Sequence, residues 1–90
     1  MAKVKIPPVL RQHTGDQPEV ELEGGSVGSV LEALVTEFPD TRPQLFGEDE
    51  ELNRFVNVYL NDEDVRVLDG LETEVGESDT VMILPAMAGG

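Results

Sequence analysis

One stretch of this chain repeats its apolar residues at the spacing of a long helix: Val27, Val30, Leu31, Leu34 and Phe38. The segments around it alternate polar and apolar residues instead. That contrast limits what the chain can become. A lone amphipathic helix has one stripe to bury, and alternating strands supply a sheet face to bury it against. Lys3-Val4-Lys5-Ile6 and Glu19-Val20-Glu21-Leu22-Glu23 both alternate, and they are expected to pair as a hairpin. Pro7 and Pro8 end the first strand, because proline brings no N–H to a ladder. Leu10 to Asp16 reads as a loop, with Gly15-Asp16 at its turn. Gly24-Gly25 breaks the second strand, Ser26 is placed to cap the helix, and Pro39 stops it.

Beyond the helix, Leu45 and Phe46 are expected to pack down from a short turn, and Glu48-Asp49-Glu50-Glu51 reads as a solvated acidic loop. Phe55 to Asn61 carries the strongest strand pattern. Val56, Val58 and Leu60 share one face, and Phe55, Asn57 and Tyr59 share the other. Asn61-Asp62-Glu63-Asp64 turns the chain, and Val65-Arg66-Val67 reads as a short edge strand. Leu68-Asp69-Gly70-Leu71 and Gly76-Glu77-Ser78-Asp79 are turns. Thr80-Val81-Met82-Ile83-Leu84 is the last strand, closed by Pro85. The order is strand, strand, helix, strand, short strand, strand. It predicts an α+β domain with a mixed sheet and one covering helix, the ββαβ(β)β order of the ubiquitin-like β-grasp. Residues 1–85 form that domain, and residues 86–90 are expected to be a flexible C-terminal diglycine tail.

Composition removes whole classes of function. The 90 residues contain no cysteine, which excludes disulfides, thiolate metal sites and a cysteine nucleophile. The net charge is −13, and the six basic residues are scattered. Nucleic acid and anionic membranes are therefore unexpected partners, and the charge either steers the chain towards basic protein surfaces or only maintains solubility. The N-terminus lacks the apolar centre of a signal peptide, and Val81 to Gly90 is about half the length of a membrane span. A soluble, cytoplasmic protein is expected. His13 is the only histidine. No nucleophile and base accompany it, so it reads as structural or exposed and the chain as no enzyme. A calcium loop beginning at Asp62 would need glycine and glutamate where Val67 and Thr73 stand. No metal site is expected.

The last residues, Ala86-Met87-Ala88-Gly89-Gly90, offer no cap, strand partner or core layer. Their chemistry lies in the terminal carboxylate, an anion at neutral pH and a poor electrophile. Adenylation with ATP gives it a good leaving group. The terminus must then thread into another protein's nucleotide site. Gly89-Gly90, without Cβ atoms, can take any backbone conformation there. Pro85 stiffens the root.

Three segments carry a family resemblance: Leu10-Arg11-Gln12-His13-Thr14-Gly15, Arg54 to Arg66 (RFVNVYLNDEDVR), and Val81 to Gly90. The chain resembles the ThiS/MoaD family of sulfur-carrier proteins, and within it the cysteine-biosynthesis (CysO-type) branch. Met87 lies where that branch commonly carries valine. The resemblance implies that an E1-like adenylating enzyme activates the Gly90 carboxylate and that sulfur replaces AMP to give a thiocarboxylate. It implies a PLP-dependent synthase and a zinc peptidase downstream, with ATP used by the activating enzyme and no cofactor bound by the carrier. Gly89 and Ala88 are the tail positions leading to Gly90. Molybdopterin, thiamin and thiosugar synthesis use the same tail chemistry, and a ubiquitin-like modifier would form isopeptide bonds through the same end. The strand parities also place Tyr59, Met82 and Leu84 opposite the core residues, where the family docks its partners on the sheet.

Overall fold

The computed structural model describes residues 1–47 and 56–85. Ala2–Lys5 (β1) and Glu19–Leu22 (β2) form the expected antiparallel hairpin, with Val4 opposite Val20. Between them the chain is not the open loop that its composition suggests. Pro8–His13 winds into a 3₁₀ helix. Pro8 suits the first position, where its fixed φ is already helical and its missing N–H is not needed. Leu10 anchors the turn in the core. The Arg11 Nε donates to the Ile6 carbonyl at 3.1 Å. Thr14 is fully buried, and its hydroxyl lies 3.1 Å from the Gln17 carbonyl and 3.3 Å from that of Arg11. Gly15 then takes a left-handed φ of 64° to turn the chain back.

Val27–Glu37 forms the helix α1. Ser26 caps it as expected, its Oγ accepting from the Ser29 N–H at 3.2 Å. Gly24 has a steric role just before the cap. A Cβ there would sit 2.7 Å from the Val30 nitrogen and 2.8 Å from its Cγ2. Its bare backbone lets the strand-to-helix connection lie against α1. Val27, Val30, Leu31 and Leu34 are wholly buried, so the helical stripe is the covered face. The helix stops before Pro39, and the short helix α2 (Arg42–Leu45) follows. Leu45 and Phe46 pack down into the core. The acidic run Glu48 to Glu51 and Phe55 lie outside the described residues.

Val56–Leu60 (β3), Glu63–Asp64 (β4) and Thr80–Pro85 (β5) complete a five-stranded sheet in the order β2-β1-β5-β3-β4. β5 sits at its centre, parallel to β1 and antiparallel to β3. The β3–β4 hairpin turns through Asn61 and Asp62, whose φ angles of 49° and 75° give the left-handed pair that suits a two-residue turn. The edge strand expected at Val65-Arg66-Val67 does not form. One more ladder bond follows β4, from the Val65 N–H to the Val58 carbonyl at 3.0 Å, and the Asp64 Oδ1 accepts from the Arg66 N–H at 2.8 Å. The chain then curls, with Val67 N–H donating to the Asp64 carbonyl and Leu68 and Gly70 to that of Val65. Val65 is drawn into the core, and Val67 is left 80% exposed. Asp64 and Val65 together turn the chain out of the ladder, the side chain of one and the carbonyl of the other accepting from the residues that follow.

The sheet parities follow the sequence alternation. Val4, Val20, Leu22, Val56, Val58, Leu60, Val81 and Ile83 are buried beneath α1 and the connecting turns. No described side-chain polar atom is buried without a hydrogen-bond partner.

Candidate functional site

The face of the sheet away from α1 is where the candidate docking residues fall. Tyr59 and Met82 are direct cross-strand partners, and Leu84 lies opposite Asn57. The expected patch is therefore one surface, assembled by β3 and β5. Tyr59 and Met82 are partly buried, and Leu84 is 38% exposed. The register carries a single row across all five strands: Glu19, Lys5, Met82, Tyr59 and Asp64. An apolar and aromatic centre is thus bordered by charged residues of both signs. That composition suits protein recognition, where buried Tyr and Met contacts supply affinity and a polar rim supplies orientation. A shallow hollow of about 230 Å³ opens beside the row, lined by Lys5, Asn61, Asp62, Thr80 and Met82.

Sequence reasoning found the apolar part of this face and missed its polar frame. Arg66, in the turn after β4, reaches back across β3. Its Nη2 donates to the Val56 carbonyl at 2.8 Å, and its Nη1 donates to the Asn57 Oδ1 at 2.9 Å. The guanidinium thereby holds the start of β3 beside Leu84. Asn61 performs the equivalent task at the other end. Its Oδ1 accepts from the Thr80 N–H at 3.0 Å, and its Nδ2 donates to the Asp79 Oδ1 at 2.9 Å. Asp79 also accepts from the Gly76 N–H at 2.7 Å. That backbone bond, with the Asn61 bond second, holds the Asp79 carboxyl below its ordinary range. The Arg66 and Asn61 contacts are long-range, so only residue type could have hinted at them.

Gly90, Gly89 and Ala88 lie outside the described residues. Their root does not: β5 runs to Pro85, paired with Val56 at the end of the strands that carry this face. His13 is half-buried in the 3₁₀ helix. Among the described residues no group of three or more histidines, aspartates or glutamates is placed to hold a metal ion, and no helix is long and apolar enough to cross a membrane.

One helix on a five-stranded mixed sheet with β5 at its centre is the ubiquitin-like β-grasp fold. The comparisons make the class specific. The sequence profile of the ThiS family matches residues 4–90. The sulfur carrier protein CysO of Mycobacterium tuberculosis is 44% identical over 89 residues, covering 97% of this chain and 96% of that protein. The crystal structure of the Amycolatopsis orientalis BexX/CysO complex contains a chain 46% identical, with a TM-score of 0.92 and full coverage of both chains. The solution structure of the small archaeal modifier protein 1 from Methanosarcina acetivorans gives a TM-score of 0.89 at 35% identity, covering 99% of this chain and 95% of that one. The chain belongs to the ThiS family. Within it, the chain is a sulfur carrier of the CysO type, a carrier rather than an enzyme.

Proposed function

We propose that this carrier works through the carboxylate of Gly90, which an E1-like enzyme adenylates with ATP and converts to a thiocarboxylate for cysteine synthesis. The observation that carries the reading is that the family match runs through the diglycine to residue 90. Adenylation expels pyrophosphate and makes an acyl phosphate anhydride. Attack by a sulfur donor then expels AMP and leaves the acyl carbon bearing sulfur. That sulfur is a soft nucleophile. On a PLP-dependent synthase it displaces the leaving group of an activated serine derivative, forming the new C–S bond. An S-to-N acyl shift moves the carrier onto the amine, and a zinc peptidase hydrolyses the resulting amide to release cysteine.

The sheet face supports this reading by its position. Gly90 lies five residues beyond Pro85 in sequence, and five extended residues span at most about 18 Å. An enzyme holding Gly90 in its nucleotide site therefore sits within reach of Tyr59, Met82 and Leu84. These residues would set the docking orientation while the tail enters the partner. A relative of this type has been seen in a complex with another protein, BexX.

Incubation with the activating enzyme, ATP and a sulfur source is expected to raise the intact mass by one oxygen-to-sulfur exchange. Deletion of Gly90 should abolish the gain and leave the fold intact. Thiolation of the truncated chain would overturn the reading. The likeness to the archaeal modifier protein favours one alternative, conjugation to lysines of other proteins. A ladder of heavier, Gly90-dependent species would mark that chemistry, and cysteine formation in the reconstituted reaction would mark the first.

A further inference from the structure

The sheet order leaves β2 at an edge, with β1 on one side only. Ile6 N–H donates to the Pro18 carbonyl at 2.9 Å, and Val4 pairs with Val20. Alternation along an antiparallel ladder then turns the peptide groups of Pro18, Val20 and Leu22 towards β1 and those of Glu19 and Glu21 outwards. The outward N–H and C=O groups border a cleft between β2 and α1. Two adjoining hollows of about 520 and 390 Å³ share Glu21, Leu22 and Glu37. Leu22 and Ala33 line the first hollow, together with Met1, and Val20, Leu22 and Phe38 line the second, which is mostly polar. Glu37 borders both from α1, Glu21 and Glu23 border the first from the exposed β2 side, and the side chains of Glu19 and Glu21 turn to the outer face of the sheet, across from Lys5 and Lys3. No lysine or arginine lines either hollow. Neither Glu23 nor Glu37 enters an ion pair among the described residues.

An unpaired edge beside a groove accepts an extended strand, whose backbone completes the ladder while alternate side chains enter the groove. Charge selects the occupant. A second copy pairing β2 against β2 would bring Glu19 and Glu21 close to their own equivalents, an unfavourable cross-strand arrangement. A segment alternating apolar and cationic residues fits instead. Its apolar side chains face Leu22, Ala33 and Phe38 on the α1 side, and its cations face Glu19 and Glu21 on the other side of the sheet.

We infer that the β2 edge and the β2–α1 cleft receive an extended basic segment of a partner protein as a sixth strand. This site is two strands away from β5 and does not depend on the chemistry of Gly90. A carrier bound at its tail can therefore be held at the same time by a second partner, or by a second element of the first.

The test is a titration of the ¹⁵N-labelled full chain with a blocked six-residue peptide alternating lysine and valine, against its glutamate–valine counterpart. The lysine peptide should shift the amides of Glu19, Glu21, Glu23, Ala33 and Glu37, and the glutamate peptide should shift none of them. Glu21→Pro removes an outward N–H without touching the ladder to β1, and it should weaken binding about tenfold. The double variant Glu23→Lys with Glu37→Lys changes only exposed side chains and should reverse the preference towards the glutamate peptide. Equal responses to both peptides would overturn the inference. So would shifts confined to the Tyr59–Met82 face, or self-association of the protein through β2.

Discussion

Met82 and Ile83 are neighbours in one strand and belong to different parts of the molecule's work. Ile83 is 1% exposed, packed with Val58 and Leu34 in the covered core. Met82 looks outwards between Tyr59 and Lys5. The same alternation that folds the domain thus also sorts its residues, with one face building the core and the other left outward. The apolar residues of the outer face are too few to stabilise much, and under the proposed function they set the docking of a partner.

Truncation separates the two faces most strongly in the core. Ile83→Ala is expected to destabilise the domain by about 2–5 kcal/mol, read as a lower urea midpoint. Met82→Ala should cost less than about 1 kcal/mol. Equal losses at the two positions would break the contrast. The same Met82 variant, or Tyr59→Ala, should slow enzyme-dependent thiolation mainly through a raised KM for the carrier, while its melting changes little. A variant that melts early and is thiolated normally would invert the assignment.

The smallest expected effect lies at the turn that begins β5. The Asp79 carboxyl is held below its ordinary range by the Gly76 N–H and by Asn61. A carboxyl with a lowered folded pKa contributes stability above its unfolded value, and the contribution is lost as pH falls through the folded value. Acidification through the carboxylate range should therefore weaken the wild-type domain, and Asp79→Asn should flatten part of that acid limb. Urea midpoints measured across that range check it. An unchanged acid limb in the variant would show that the turn is not held by this charge.

Local chemistry was readable in the sequence wherever a residue acts on its own neighbours. Ser26 caps the helix three residues ahead of Ser29, the helical stripe is the buried stripe, and the parity of Tyr59, Met82 and Leu84 is the parity of the exposed face. Reading failed where side chains hold a turn. Asp64 accepts from Arg66 as the chain curls away from β3 after Val65, and the buried Thr14 hydroxyl supports a 3₁₀ helix in a segment of loop-like composition. Alternation cannot report either event. Nor can it report strand order, and the β2–α1 cleft exists only because β2 is outermost and β5 is central. Of the candidate site, the face was legible by parity, whereas the Arg66 and Asn61 braces depend on contacts formed after folding.

The central place of β5 has a mechanical consequence. Any partner that grips the terminal glycine applies its force to a strand bonded along both sides, to β1 and to β3. Tension along that strand loads the two ladders in shear, so many bonds resist together instead of opening one after another. A strand rooted this way can be pulled from its end while the body it belongs to stays whole.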